Sequence, residues 1–590
     1  MLTTRGFWFF LIASGVLAAA VLLGAAQLTL LALTLLLWFL GQWVLFQVRI
    51  RLAVRRLVVG RILRTSRGEV QSLWAKQKVE VVVTLRGAGV VGLPYVVMTE
   101  RVPALARVED GTALCLDGAV SAEEPLTLTY SLECPAAGWL CFDGVRIQMA
   151  DLQGFFTHAA FLHERRDYRV LPTLPVSMSH STFVKQHNVL PLLGTHRHAR
   201  PGGSSELLDL RDYLPGDPPK MIAWKVSARR DRLITREFES EVPIRCTLFV
   251  DTSNSVRVGP VGETALCRLV EVAAGLAQAN ASERDLTGLC LFDETGVRAT
   301  VKAGRGSKHF LNLIALLTDV AGLTPQSAEA TVRDLVPLAY GLAQDLYPEL
   351  LDRDVNRFPF WLPLWSPQPG WAIPPGTPRY FSRLLPGLRR EYRLRKELAA
   401  ICAARYGLGP GGLAMLLEDD ERCVHYLQRF LAEHQIACPI SLYDDRGRYV
   451  FAAPKKPGIL ADALLKAVTR GKDNELFVLC VDLLENADAL AKLERAICVA
   501  KARHHQVIVI CPWPAGVDPP GARPTPLMAS LGMALLLQRL CTDQLHEAFA
   551  KVRRALGRVG VPVLCAAQGE TVNWILHHMR KLRIQERGVR

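Results

Sequence analysis

The sequence predicts a multidomain protein: a transmembrane helical hairpin, a small β-sandwich, and then a doubly wound α/β domain. Three observations carry this reading. The first fifty residues are apolar and almost uncharged. Short valine-rich runs follow, punctuated by Gly, Pro and Asp. From residue 244 onward, β-branched strands alternate with amphipathic helices, as in a mainly parallel sheet covered on both faces.

The anchor comes first. Residues 7–23 and 28–48 are two apolar runs, weakly interrupted at 24–27. A single helix of that combined length would far exceed the roughly 20 residues a bilayer needs. Two spans joined by a tight turn fit better, with Trp8, Trp38 and Trp43 near the interfaces. A cleaved signal peptide is the competing reading of residues 7–23. Only Arg5 precedes it as a basic residue, and a second apolar run follows at once, which disfavours that reading. Arg49, Arg51, Arg55, Arg56, Arg61, Arg64 and Arg67 then form a basic flank. The positive-inside rule keeps that flank in the cytoplasm, and a hairpin keeps the N-terminus there too. The expected location is a two-pass protein of the cytoplasmic (inner) membrane with its soluble domains facing the cytoplasm. Arginines facing anionic headgroups account for part of the net charge of +14. A nucleic-acid partner is the other reading of a basic chain. It is disfavoured because basic residues elsewhere alternate with acids, as in Arg389-Arg390-Glu391, and no zinc-finger spacing occurs. The fourteen cysteines form no CxxC pair and sit mostly in apolar runs, which fits a reducing compartment.

The domains follow in order. Residues 1–50 are the anchor and 51–67 a basic juxtamembrane linker. Residues 68–174 are the sandwich, with strands expected at 78–85, 90–98, 126–133 and 145–149. Cys134 and Cys141 flank a turn there and are expected to be reduced. Residues 175–241 begin loop-rich. His196 and His198 lack a nearby cysteine or acidic cluster and read as a basic loop rather than a metal pair. Residues 242–585 form the α/β domain. Its strands are expected at 246–251, 287–292, 296–301, 475–481, 506–511 and 561–565, with helices at 263–279, 487–501, 538–556 and 571–582. An insertion at about 350–437 interrupts it. Residues 357–379 carry Trp361, Trp365, Trp371 and seven prolines, which exclude a regular helix or an interior strand. This stretch reads as an ordered surface loop, or else as a lid, a partner-binding arm or an interfacial segment.

The candidate site lies at the end of the first α/β strand. An apolar run ends at Asp251, and Ser253 and Ser255 follow at two-residue spacing. Ligands of parallel sheets sit at the carboxyl ends of strands. One carboxylate and two hydroxyls are hard oxygen ligands for Mg2+ or Mn2+. The plain alternative is a polar turn after a strand.

The pattern Asp-x-Ser-x-Ser resembles the metal-ion-dependent adhesion site of von Willebrand factor A domains. The resemblance implies a metal one ligand short, completed by an acidic side chain of a partner. It also implies a second aspartate holding the metal through water, matched by Asp482, and a threonine, matched by Thr324. Either residue can equally be a helix cap.

Residues 206–241 resemble the signature of the bacterial family called domain of unknown function 58. Arg211, Tyr213, Pro215, Gly216, Asp217, Trp224, Lys225, Ala228 and Arg229 match in order and spacing, with Glu237 and Glu241 following. Asp151, Gly154 and Phe155 match the motif that ends the family's sandwich-like segment. Lys220 and Ala223 depart from the usual Arg and Asp. Trp224 is expected to pack against the sheet. The family resemblance implies an adaptor working with a MoxR-type AAA+ ATPase.

The expected function is therefore a membrane-anchored, non-enzymatic protein-binding adaptor with Mg2+ or Mn2+ at Asp251, Ser253 and Ser255. The alternatives are a metal-dependent hydrolase of phosphoesters or envelope precursors, and a structural membrane scaffold with a vestigial metal loop. Residues 304–308 lack phosphate-loop spacing, and neither Gly-x-Ser-x-Gly nor His-Glu-x-x-His occurs.

Overall fold

The computed structural model describes residues 2–65, 68–87, 93–109, 112–121, 124–174, 197–241, 245–322, 331–351, 390–409, 411–436, 455–471, 475–514, 516–520 and 533–566. The chain divides into two compact units. One comprises residues 1–135, 139–170 and 324–440, the other residues 136–138, 171–323 and 441–590.

The first unit opens with helices Thr4–Leu22 and Ala26–Val54, both long and apolar enough to cross a membrane. Gly24, at φ +66°, makes the turn between them. The Thr3 hydroxyl accepts the Gly6 N–H at 3.1 Å and caps the first helix. It also donates to the Gly154 carbonyl at 2.6 Å. Gly6 must stay small, because a Cβ there would lie 2.6 Å from the Phe155 carbonyl oxygen. Phe39 packs against Phe9, Phe155 and Phe156, with ring centroids 5.4, 5.5 and 5.0 Å apart. Asp151 holds this aromatic loop by accepting the Phe156 N–H at 2.9 Å.

Two five-stranded sheets follow. The first contains Leu57–Thr65, Lys78–Gly87 and Leu126–Glu133. The second contains Leu93–Glu100, Gly138–Ala150 and Thr157–Leu171. Period-two alternation turns Val79, Val81, Val83 and Leu85 inward, and all four are buried. Residues 51–67 are not a linker: the second helix runs to Val54, and a strand occupies Leu57–Thr65. Arg61 does not face lipid headgroups either. It is buried, paired with Glu100 at 2.7 Å, and lies over the Phe142 ring. An inward-facing strand position decided its role.

Helices Val332–Leu346, Arg390–Arg405 and Asp420–Glu433 belong to this unit. Their apolar faces join Phe161 in one core that includes Leu335, Ala339, Leu398, Leu427 and Phe430. The sequence reading put an insertion at 350–437 inside the α/β domain. Trp361, Trp365 and Trp371 lie outside the described residues.

The second unit holds a six-stranded sheet: β1 (Arg245–Asp251), β2 (Leu286–Phe292), β3 (Val297–Gly304), β4 (Leu476–Cys480), β5 (Gln506–Pro512) and β6 (Val563–Ala566). Their order is β3-β2-β1-β4-β5-β6, parallel except for the edge strand β3. Helices cover both faces. Ala265–Ser282 and Ser307–Ala321 pack Leu269, Ile314 and Leu317 against Leu248, Val250 and Val478. Lys456–Arg470, Ala491–Ala502 and Met533–Arg558 pack Leu460, Leu464, Ile497 and Val552 against Phe249, Phe477 and Val509. This is a doubly wound α/β sheet. Its strands are buried on both faces, and so they read as continuous apolar runs. The helix expected at 571–582 lies outside the described residues. The described cysteines are free.

Candidate functional site

The sequential order of neighbouring strands reverses between β1 and β4. Crevices at such switch points are where open α/β sheets bind ligands. Asp251 ends β1 there, and its side chain is fully buried. Its Oδ1 accepts two hydrogen bonds from Ser253, the N–H at 3.0 Å and the hydroxyl at 2.6 Å. The Ser253 and Ser255 hydroxyls are 3.2 Å apart. The Asp482 N–H, just past β4, reaches Asp251 Oδ2 at 3.4 Å. Three predicted site residues therefore converge on one strand end, and Asp482 joins them from the neighbouring strand. Thr324 lies outside the described residues.

A residue the sequence reading missed completes the cluster. Lys456 Nζ lies 2.9 Å from Asp251 Oδ2 and donates to the Ser255 hydroxyl, also at 2.9 Å. Its side chain is only 1% exposed. Burial works against its charge, but Asp251 and Asp482 outweigh that and raise its pKa. Lysine is almost never fully buried without such a partner. One signal was available in the sequence. Lys456, Leu460 and Leu464 fall at four-residue spacing, so a cation heads the apolar stripe of a helix.

Asp482 does two things. Its Oδ1 accepts the Leu484 N–H at 3.0 Å, an Asx-turn bond just ahead of the short helix Leu484–Asn486, whose cap position is Leu483. Burial also raises its carboxyl to about 6, against the opposing pull of Lys456. Around the loop, Arg257 donates to the Thr252 carbonyl at 3.0 Å and the Val320 carbonyl at 2.8 Å. Glu294 accepts the Asn254 N–H at 3.3 Å. These contacts fix the backbone that carries the serines.

The donor chemistry can be tested against a divalent ion. One carboxylate and two hydroxyls on a tight loop suit Mg2+, which keeps several waters. Among the described residues, no group of three or more His, Cys, Asp or Glu side chains could hold a metal, so hydroxyls and water would have to complete the shell. The Lys456 ammonium already touches two of the relevant oxygens. The donor set fits a metal only with that ammonium withdrawn.

The segment upstream is organised differently. Arg211 pairs with Asp217 at 2.8 Å. Asp217 also accepts the Leu214 N–H at 3.1 Å and the Thr235 hydroxyl at 3.2 Å. The Arg211 hydrogen bond in particular lowers the Asp217 pKa. Gly216, at φ +111°, lets the loop turn back on itself. The Tyr213 N–H donates to the Leu233 carbonyl at 2.9 Å. Arg211, Tyr213, Gly216 and Asp217 thus form one small folded loop. Trp224 does not pack against the sheet as expected. It begins the short helix Trp224–Arg230 and is 62% exposed, and Lys225 and Arg229 are exposed beside it. Ile222, Ala223 and Ser227 are buried here instead. Ala223 donates to the Ile234 carbonyl at 2.8 Å, and Ser227 accepts the Ile234 N–H at 2.9 Å.

Comparison with known proteins bears on this same stretch. The profile of the family described as "Protein of unknown function DUF58" matches residues 209–337. A Bacillus subtilis (strain 168) protein described as "Uncharacterized protein YeaD" is 29% identical over 200 residues, which are 31% of this chain and 46% of that protein. The chain thus spans about half the length of this curated relative. Among solved structures, a GH20 exo β-N-acetylglucosaminidase from Vibrio harveyi aligns over 78% of this chain and 82% of its own, at 10% identity. Its TM-score is 0.14, and so the likeness carries no statement of fold or activity.

Proposed function

We propose that this protein is a membrane-anchored, non-enzymatic adaptor whose second unit is a von Willebrand factor A-like binding domain. Asp251, Ser253 and Ser255 would hold Mg2+, or Mn2+, and Asp482 would hold it through water. When bound, the metal supplies an open coordination position for a carboxylate of the partner. The partner class is a MoxR-type AAA+ ATPase, on the strength of the family resemblance. The hairpin would place both soluble units in the cytoplasm. The observation that carries this reading is the convergence of Asp251, Ser253, Ser255 and Asp482 at the switch point of the sheet. Ser255 has the Lys456 amine beside it at 2.9 Å, but Asp251 and Asp482 keep that amine charged, so it is not the free base a hydrolase would require.

The test is affinity capture of the full chain from native membranes, with Mg2+ present or with a chelator. An ATPase recovered with Mg2+ and lost with chelator, or with Asp251→Ala, is the expected result. Equal recovery in all three would overturn metal-mediated capture. Reporter fusions at residue 70 and at the C-terminus should both report cytoplasm. A periplasmic signal from either would overturn the hairpin orientation.

A further inference from the structure

We propose that Lys456 is a built-in cation that occupies the ion position of the strand-end site and must be displaced before a divalent ion binds. The proposal rests on the metal-dependent reading above and deepens it: the site is latched by the chain itself.

Position is the first argument. The Lys456 ammonium contacts Asp251 Oδ2 and Ser255 Oγ, two of the oxygens a metal would use, each at 2.9 Å. Mg2+ sits at about 2.0–2.1 Å from its oxygen ligands. Two cations sharing that carboxylate oxygen and that hydroxyl would lie almost in contact inside the protein, where their repulsion is weakly screened. Occupancy is therefore exclusive.

Burial is the second. The carboxylate and the ammonium are 0% and 1% exposed. A buried carboxylate without a counter-ion carries a large desolvation penalty. In the closed arrangement Lys456 offsets it, so the strand end is stable with no metal at all. The remaining Asp251 oxygen is satisfied by Ser253. The closed state is self-sufficient.

An alternative seat is the third. Asp482 and Glu485 also attract the Lys456 charge. Lysine carries a point charge on a flexible four-carbon stem and has no fixed fork geometry to lose. A withdrawn ammonium can therefore turn toward those carboxylates without being left unpaired. The fraction of molecules with Lys456 withdrawn then multiplies the intrinsic metal affinity. A partner that draws the ammonium away raises that fraction, which couples partner capture to metal uptake.

The experiment is calorimetric titration of the detergent-solubilised full chain with MgCl2 and MnCl2, comparing wild type, Lys456→Met and Asp251→Ala. Thermal unfolding of each is followed with and without metal. Lys456→Met is expected to bind at least about tenfold more tightly than wild type, because the closed state is removed. Without metal, Lys456→Met should melt below wild type, and Mg2+ should restore it. Wild type should respond weakly, and Asp251→Ala should not bind. Equal affinities of wild type and Lys456→Met would overturn the latch and leave the metal site standing. No binding and no thermal response in either would overturn both. If Lys456→Met does not fold, Lys456→Gln carries the same comparison.

Discussion

Each unit buries a cationic cluster, and the two are built on opposite plans. In the first unit Arg405 pairs with Asp143 and with Glu433, at 2.7 Å for the latter, and donates to the Tyr347 hydroxyl at 2.6 Å. Tyr347 in turn donates to Asp143 at 2.6 Å. Arg165 and Arg429 each reach Glu433 at 3.2 Å. In the second unit Lys456 has one carboxylate and one hydroxyl. A guanidinium has five donors in a rigid fork and stays charged, so Arg405 fixes helices Val332–Leu346, Arg390–Arg405 and Asp420–Glu433 to the strand carrying Asp143. An ammonium is compact and can be replaced by another small cation. Burial is shared by the two clusters. What separates structure from site is whether the cation is geometrically exchangeable.

Breaking the first cluster should give the largest effect. Arg405→Met leaves Asp143 and Glu433 without their shared buried counter-ion and should cost about 3–5 kcal/mol. Thermal unfolding and proteolysis of the helices should show it, and added Mg2+ should not restore the loss. Restoration by metal would erase the distinction between the clusters.

Asp251→Ala comes next. A strand-end carboxylate facing solvent would contribute little to the fold. The side chain is instead fully buried against Lys456. Its loss should cost about 3 kcal/mol. The double variant Asp251→Ala with Lys456→Met should recover part of that, since no buried charge remains unpaired. A fully additive double variant would show that the pair is not coupled.

Acid should sharpen the contrast more gently. Burial alone would raise the Glu433 carboxyl, but Arg405 and Arg165 outweigh it and hold its pKa below the ordinary value. Its stabilisation is therefore complete above the unfolded value of about 4.3 and is lost as pH falls through the lower folded value. Unfolding curves from pH 6 downward should lose stability below about pH 4.3, and Glu433→Gln should flatten that dependence.

Trp224→Ala should give the smallest effect, within about 0.5 kcal/mol, because the ring is exposed. A loss of several kcal/mol would mean that the ring is covered in solution.

These contrasts show what was legible in the sequence. The strands of the α/β sheet and the Asp251-Ser253-Ser255 loop are local patterns: an apolar run, then oxygens at fixed spacing. Lys456 is separated from Ser255 by 201 positions, and only the fold joins them. Its place at the head of an apolar stripe was the one trace, and a lysine there ordinarily reads as a solvated end. Trp224 failed for a different reason. Motif spacing fixes the order of residues along the chain, whereas exposure depends on which side of a short helix faces the sheet. Arg61 was counted as membrane flank because its strand register was unread, and register decides burial.

The grouping of residues 324–440 with the sandwich has a practical consequence for dissection. The backbone passes between units near residues 171, 324 and 441. A clone beginning at residue 175 would keep the helices that hold Leu335, Leu398 and Phe430 while discarding Phe161, which packs with them, and Asp143, which ties them down. Such a truncation would carry a naked oily surface into solution, with an arginine that keeps Glu433 but has lost Asp143. Clean separation calls for cutting out the middle segment as well and rejoining the ends, so that the scissors follow space and not numbering.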